Sequence, residues 1–490
     1  MTNSFIKRGL LVVSATLFLL AGCKKDDTTS SFSVTGPTSI YFWDGQTKQT
    51  AYSARNIVAF SYDTPDGWTC VAKGGVFEIT APASGGDASG TVKITATTTA
   101  SSTLTVTVDV AVKTSETIPG GNANSYMVNK ASQRYKFNAG IKGNETAPSM
   151  TPGDALLVWC NPADAINHVS LESDGCIYFS TKDATALECG NALIAALNAD
   201  NGIIWSWHIW AVDYNPATDY DVLDGKTVMS RNLGAIASSN ATTDEVGQSY
   251  GMYYQWGRKD PFPGPNSWAS TTQLYLYNAK SKAVTLAYTT TAADIGTVAY
   301  ATANPATFIA GTEDTAYDWL YAARNNDLWG AVSNKKTLAD PCPAGWKVAP
   351  ALIWSDFATG GESSSNTANF NVDGAYSYGW TFLDDNDDPT YWPGAGRRSF
   401  SNLLASSGRN FTNVINPEFV EPGEPGAQPV GFYWSDTADT AGESKLLAFR
   451  DDYVNPGADT YTAVDDTGSE DGWSPEGARA GGFPLRCVRE

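Results

Sequence analysis

The residues of this 490-residue chain best suited to chemistry are its seven cysteines, its two histidines and three short stretches that combine carboxylates with tryptophan or asparagine. His168 and His208 are too few for a His-rich metal centre. Asp384-Asp385-Asn386-Asp387-Asp388 offers hard oxygen donors, and Asp384, Asp385 and Asp387 are candidates to hold calcium or a ligand. The stretch lacks the spacing and glycine of a helix–loop–helix calcium loop, so a solvated acidic loop is the plainer account. Asp436, in Trp434-Ser435-Asp436, is a further candidate ligand contact. Trp473, in Asp471-Gly472-Trp473-Ser474-Pro475, sets an aromatic face beside a carboxylate, which is what a sugar platform needs. No nucleophile stands beside a general base, and paired carboxylates cannot be singled out among 52 acidic residues. No catalytic residue, metal site or cofactor is assigned, with calcium the one alternative left open.

The first residues read as an address. Lys7 and Arg8 form a basic start, and Leu10 to Leu20 is an apolar run too short to span a bilayer as a helix. Leu20-Ala21-Gly22-Cys23 then matches the lipobox of bacterial lipoproteins, so residues 1–22 are expected to be a signal peptide and Cys23 the lipidated residue. More than one acyl chain gives stable anchoring where a single chain is marginal. Residues 23–32 follow as a tether. Its Lys24-Lys25-Asp26-Asp27 run resembles the surface-export signal of Bacteroidetes lipoproteins. The expected location is the outer membrane, lipid-anchored and facing outward, with the membrane as a partner through the lipid.

Composition agrees with an exported, β-rich chain. Charged residues are 17% and aromatic residues 12%, and 45 glycines accompany many Thr, Ser and Asn, as strands joined by tight turns require. Without Lys7 and Arg8 the balance is 30 basic against 52 acidic residues. Such a chain repels phosphate backbones, so nucleic acid is not an expected partner.

Three regions must position these residues. Residues 33–113 contain Thr103 to Val112, which alternates with period two and puts Val106, Val108, Val110 and Val112 on one face. Evenly spaced short strands there predict an immunoglobulin-like β-sandwich. Asp66-Gly67-Trp68-Thr69-Cys70-Val71 resembles the BACON family of small sandwich modules, which implies a spacer. Trp68 is expected in the core. Thr114 to Gly121 reads as a linker. Residues 122–222 predict a second sandwich, with phrases that resemble a module of Bacteroidetes surface lipoproteins, fimbrillin-like ones included. In Ile203 to Trp210, Trp205 and Trp207 share one face with Ile203 and Ile209, and His208 and Trp210 share the other with Ile204. A strand packed on both sides, with His208 hydrogen-bonded inside, is the simplest account.

Residues 223–490 form the third region. Six phrases occur in order: Tyr250 to Arg258, Asp318-Trp319-Leu320, Asp340 to Val348, Trp392 to Arg397, Gly431 to Asp436, and Arg486 to Arg489. They resemble the Fibrobacter succinogenes major paralogous domain, which is similar in plan to C-type-lectin-like folds. The resemblance implies an α+β domain with few helices, long loops and terminal strands that meet. Helices are expected at Tyr250 to Trp256, Thr315 to Asn325 and Ala349 to Phe357.

Setting Cys23 aside, six cysteines allow fifteen pairings, and the regions divide them as one, three and two. Cys70 is expected to be a buried free thiol. At most two of Cys160, Cys176 and Cys189 can pair. Cys342 with Cys487 is the expected disulfide, and it suits the closure of the resembled family. Formylglycine-generating enzymes share the lectin-like plan and use a reactive cysteine pair with copper, but Cys342 and Cys487 stand where the family's closing disulfide belongs. Calcium-dependent lectins of this plan carry Glu-Pro-Asn or Gln-Pro-Asp and Trp-Asn-Asp motifs, none of which occurs here.

The expected function is therefore non-catalytic binding or adhesion at the cell surface, with a glycan or a protein as partner through the third region. The alternative is an accessory or tip subunit of a fimbria-like assembly.

Overall fold

A computed structural model describes residues 29–490, apart from 44, 84–85, 113, 269–271, 323, 399, 401–428, 439–443 and 458–477. The chain divides into two compact units, Met1–Thr114 and Ser115–Glu490.

In the first unit, Ser31–Val34, Thr47–Arg55, Val76–Thr80 and Thr69–Lys73 lie side by side in that order in one sheet. Ser39–Phe42, Thr103–Val112, Ser89–Thr98 and Ile57–Asp63 form the other. If the first two strands are lettered A and A′ and the rest follow in sequence, the sheets read ABED and A′GFC. That is the immunoglobulin strand order, with A′ parallel to G. Alternation drives it: Val108 and Val110 are buried, while Thr105, Thr107 and Asp109 face out. Phe42, Phe77, Ile79, Val92 and Ile94 fill the core with them. Trp68 sits there too, its ring edge-on to Phe42 at 5.0 Å and its Nε1 donating to the Asp87 carbonyl at 2.8 Å. Cys70 is a buried free thiol, as expected, and burial pushes its pKa up to about 12.

The second unit corrects two boundaries. The expected linker is not one, because Ser115–Thr117 is a strand beside Arg134–Asn138 and Ile118 is buried. The expected boundary after residue 222 is absent as well. Ser125–Val128, Ile203–Ala211, Gly190–Leu197 and Asp154–Asn161 continue into Leu276–Tyr277 and Ala283–Val284 as one six-stranded sheet. One face of this sheet meets Ile166–Leu171, Cys176–Thr181 and Arg134–Asn138 through Phe137, Ile177, Phe179, Ile194 and Trp207. The other face carries Trp159, Leu193 and Trp210 into a core shared with Tyr253, Trp256 and Trp434. Every residue of Gly190–Leu197 is buried, because the strand has no solvent face. The two regions are thus fused through a common sheet.

At the far end of the chain, Cys487–Arg489 lies between Lys226–Met229 and Trp346–Val348, so the terminal strands of the third region meet as anticipated. Among the described residues there are only two α-helices, Thr243–Ser249 and Val298–Ala303, each capped by a threonine side chain that accepts a backbone N–H. Tyr250 to Trp256 is not helical. Met252–Gln255 is a strand buried on both faces, where aromatic β-formers pack better than helix formers. Among the described residues of Thr315 to Asn325 there is no helix beyond the end of the 3-10 turn Glu313–Thr315. Ala349 to Phe357 is in part a 3-10 helix, Ala351–Phe357.

Candidate functional site

Of the expected site residues, Cys23 and Trp473 lie outside the described residues. Cys342 and Cys487 are bonded, with Cα atoms 6.0 Å apart. Cys160, Cys176 and Cys189 are free.

The acidic residues do not gather into a ligand site. Asp384 is buried, and its carboxylate accepts the backbone N–H groups of Val222, Asn386 and Asp388 at 2.8–3.0 Å. Burial pushes its pKa up, but these donors outweigh burial and hold it below the usual carboxylate range. Asp385 accepts from Asp224 and Gly225 at 3.2 and 2.7 Å. Together they clasp the Tyr220–Leu223 and Lys226–Met229 hairpin, while Asp387 is an exposed turn residue with φ 62°. Asp436 is buried and paired with Lys347 at 3.1 Å. Burial raises its pKa and Lys347 pulls it partly back. Its carboxylate faces a lysine rather than solvent, so the proposed ligand contact is corrected to an internal ion pair. Among the described residues, no three His, Cys, Asp or Glu side chains are grouped to hold a metal.

His208 is buried in the expected way. Its ring nitrogens meet Asn191 Oδ1 at 2.8 Å and the hydroxyls of Ser125 and Tyr254 at 3.2 Å. Burial pulls its pKa down to about 3, so the ring is neutral at ordinary pH.

A half-open pocket of about 200 Å³ in the second unit is lined by charged as well as apolar residues. Four segments build it. Ile203–Ala211 contributes Trp205, and the turn after Met252–Gln255 contributes Gly257, Arg258, Lys259 and Asp260. The helix Val298–Ala303 adds Val298, Ala301 and Thr302, and the 319–339 stretch adds Trp319, Asp327, Leu328 and Leu338. Gly257 makes the turn feasible: its φ is 83°, and a Cβ there would meet the Leu328 side chain at 2.6 Å. Asn124 ties two walls together, accepting from Trp205 Nε1 at 3.1 Å and donating to the Leu338 carbonyl at 2.8 Å. The lip is apolar and open, with Val298 and Leu338 among the exposed large apolar residues.

Two cations line this mostly apolar space. Lys259 is buried, and its Nζ donates to Asp260 Oδ1, Ser206 Oγ and the Ser206 carbonyl, 4.6 Å from the centre of the Trp205 ring. Burial lowers its pKa, and Asp260 opposes that. Ser206, Lys259 and Asp260 resemble a nucleophile with its base. However, Ser206 Oγ gives its own proton to Asp260 at 2.6 Å, and Ser206 does not line the pocket. Lys259 Nζ donates in three directions, to Asp260, to the Ser206 hydroxyl and to the Ser206 carbonyl, which leaves it no lone pair aimed at the hydroxyl as a general base requires.

Arg258 is engaged through fewer of its nitrogens than two other buried arginines, Arg486 and Arg398. In Arg486, Nε, Nη1 and Nη2 all donate, to Asn232, to Asp221 and Thr390, and to the Tyr391 carbonyl. All three nitrogens of Arg398 are likewise engaged, with Pro263, Tyr288 and Gln273. Arg258 uses only Nη1, to Gln255 Oε1 at 2.7 Å and the Thr307 carbonyl at 2.9 Å. Its Nε and Nη2 are buried without a protein partner. Burial lowers its pKa to about 10, so the charge persists at neutral pH.

No family model matches the chain, and no curated protein matches it. Among solved structures, a chimeric titin Z1Z2 is 21% identical over 18% of this chain and 98% of its own, with TM-score 0.15. The BIgI domain of beta protein from S. agalactiae, bound to CEACAM1, is 17% identical over 18% and 100%, with TM-score 0.14. A Bacteroides ovatus mixed-linkage glucan utilization locus SGBP-B, in complex with a mixed-linkage heptasaccharide, is 14% identical over 38% and 46%, with TM-score 0.14. Likeness at these scores assigns neither ligand nor role; the immunoglobulin order of the first unit rests on its own strand pairing.

The residues that line the pocket escaped sequence reasoning because they come from four separated segments. One signal was available: Arg258-Lys259-Asp260 puts three charges directly after a run of aromatic residues that is otherwise built for a core.

Proposed function

We propose that this chain is a lipid-anchored, outward-facing binding protein without catalytic activity, and that its second unit receives a group of its partner in the Arg258 pocket. The immunoglobulin-like unit serves as a spacer, and Cys23 carries the anchor. The observation that carries the reading is a half-open, largely apolar pocket with the charged residues Arg258, Lys259, Asp260 and Asp327 among those that line it. Pockets that combine apolar walls with a few convergent polar groups are the default sites of recognition. The walled-in Ser206 and His208 argue against acid–base or nucleophilic chemistry at this place.

The apolar walls favour an apolar group, from a protein partner or a small molecule, over a neutral glycan. Trp205 and Trp319 are too deeply buried to offer an open stacking face. Strand exchange in a fimbria-like assembly finds no specific support, since residues 31–112 supply all strands of both sheets of the first unit. The test is a thermal-shift screen of the mature chain against small apolar acids, their amides and monosaccharides, repeated with Val298→Trp, which fills the lip from an exposed position. Hits among the apolar compounds, lost in Val298→Trp, are expected. Hits confined to sugars and indifferent to that substitution would contradict the pocket as the site.

A further inference from the structure

We infer that the pocket is a docking point for a polypeptide partner, taking one of its apolar side chains while a basic residue next to that side chain meets Asp327 at the lip. This rests on the reading of the pocket as the recognition site and names the class of partner.

The sign of the partner follows from which charge an occupant can reach. Four charged residues line the pocket, and three are closed off. Lys259 and Asp260 are buried and paired at 2.5 Å. Arg258 is buried, with Nε and Nη2 sealed from solvent. Asp327 alone is part-exposed. Its Oδ1 accepts the Ser333 N–H at 2.8 Å, and no cation among the described residues pairs with it. That N–H holds its carboxyl below the usual carboxylate range, so it is charged at neutral pH. A cation beside the apolar space complements it, and an anion is repelled.

The size of the partner follows from how far the apolar surface extends. Val298 and Leu338 line the pocket and are exposed. Tyr321 and Val332 carry exposed apolar surface beyond them. The Tyr321 N–H donates to the Gly296 carbonyl at 3.0 Å, two residues before Val298, and Ser333, next to Val332, donates to Asp327. A small molecule would fill the cavity and leave this rim in water, whereas a polypeptide covers both. The cavity of about 200 Å³ is below the roughly 300–1,000 Å³ of drug-sized pockets and suits one aryl or branched alkyl side chain. An anchor in a pocket, ringed by contacts that exclude water, is how protein interfaces concentrate their binding energy.

The net charge of the chain, −20, acts in the same direction. A second copy would meet its own charge, while a basic polypeptide is drawn in.

Calorimetric titration of the chain at low salt tests the inference. The probes are phenethylamine and the peptides acetyl-Gly-Gly-Phe-Xaa-Gly-Gly-amide, with Lys, Gln or Glu as Xaa. Affinity is expected to fall in the order Lys, Gln, Glu by about two- to fivefold per step, the worth of a part-exposed ion pair. Salt at about 0.5 M should compress the series. Asp327→Asn, whose amide oxygen keeps an acceptor for the Ser333 N–H, should bring the Lys and Gln peptides level, and Val298→Trp should abolish binding of all three. If Asp327→Asn fails to fold, the order of the peptides and its salt dependence on the unaltered chain still decide. Equal binding of the three peptides, lost together in Val298→Trp, would overturn the basic partner and leave the pocket standing. Tighter binding of phenethylamine than of the Lys peptide would assign the site to a free amine. A concentration-dependent dimer in sedimentation, lost in Val298→Trp, would assign it to a second copy. Either result would overturn the polypeptide inference. Absence of binding by all four probes at millimolar concentration, with no dimer, would overturn both the inference and the pocket as the site.

Discussion

Val228 and Val488 are antiparallel register partners, although they stand near the start and the end of the third sequence region. Cys487, one residue before Val488, pairs with Val348 and is bonded to Cys342 across a separation of 145 residues. The C-terminal strand is therefore held by backbone pairing on both sides and by one covalent bond.

Removing that bond should weaken the second unit alone. Native disulfides contribute about 2–5 kcal/mol, and long loops fall toward the upper end of the entropic estimate. Cys342→Ser with Cys487→Ser is expected to lower the denaturation midpoint of the second unit by that order. The transition of the immunoglobulin-like unit, which has its own core, should stay in place. Denaturant curves that move both transitions together, or neither, would contradict this.

Lys336 and Asp340 anchor the same corner. Lys336 Nζ donates to Asp340 Oδ1 at 2.9 Å and to the carbonyls of Cys342, Pro343 and Trp346, and both side chains are buried. Asp340 also accepts the N–H groups of Cys342 and Val348. Removing one partner of a buried pair costs about 3–5 kcal/mol because it strands the other charge. Lys336→Met should destabilise the second unit by that order in urea titration. A change below about 1 kcal/mol, the worth of an exposed ion pair, would show that the pair is not sealed.

The buried ring of His208 makes stability depend on pH. Its folded pKa of about 3 is depressed, so between about pH 6.5 and 3 the unfolded chain takes up a proton that the native chain refuses. The contribution is fully present above about pH 6.5 and falls by up to about 1.4 kcal/mol per pH unit as acid is added. Its loss is complete once pH drops through about 3. Relative to His208→Gln, the unaltered chain should lose stability more steeply across this window. Parallel curves would refute the assignment.

Calcium should not alter stability. The Asp384 and Asp385 carboxylates already accept backbone N–H groups from the hairpin at Tyr220–Met229 and from their own turn. Melting curves with chelator and with added calcium are expected to coincide. A calcium-dependent rise in the second transition would place an ion at this loop or elsewhere in that unit.

Local patterns were legible in the sequence where one face of one strand decides burial. Val108 and Val110, Trp205 and Trp207, and the inward-facing His208 all follow from period two. Cys342 and Cys487 were expected to pair because the third region as read from sequence holds no other cysteine and the resembled family closes there; the bond forms although the unit Ser115–Glu490 holds three further cysteines. The fusion of the second and third regions was not, because it depends on Cys160 pairing with Tyr277, which lies in the two-residue strand Leu276–Tyr277, too short to carry a periodic signal. Asp384 and Asp436 read as ligand contacts because sequence gives a carboxylate's type but not its donors. The pocket was hidden because its lining comes from four separated segments, and no single phrase shows that they meet.

Amide hydrogen exchange of the chain, with and without a saturating apolar hit from the thermal-shift screen, tests the central claim most directly. Ligand-induced protection is expected at residues 257–260, 298–303 and 337–339, with the immunoglobulin-like unit unchanged. Protection elsewhere in the chain, with these three segments unaffected, would contradict the pocket as the place of recognition.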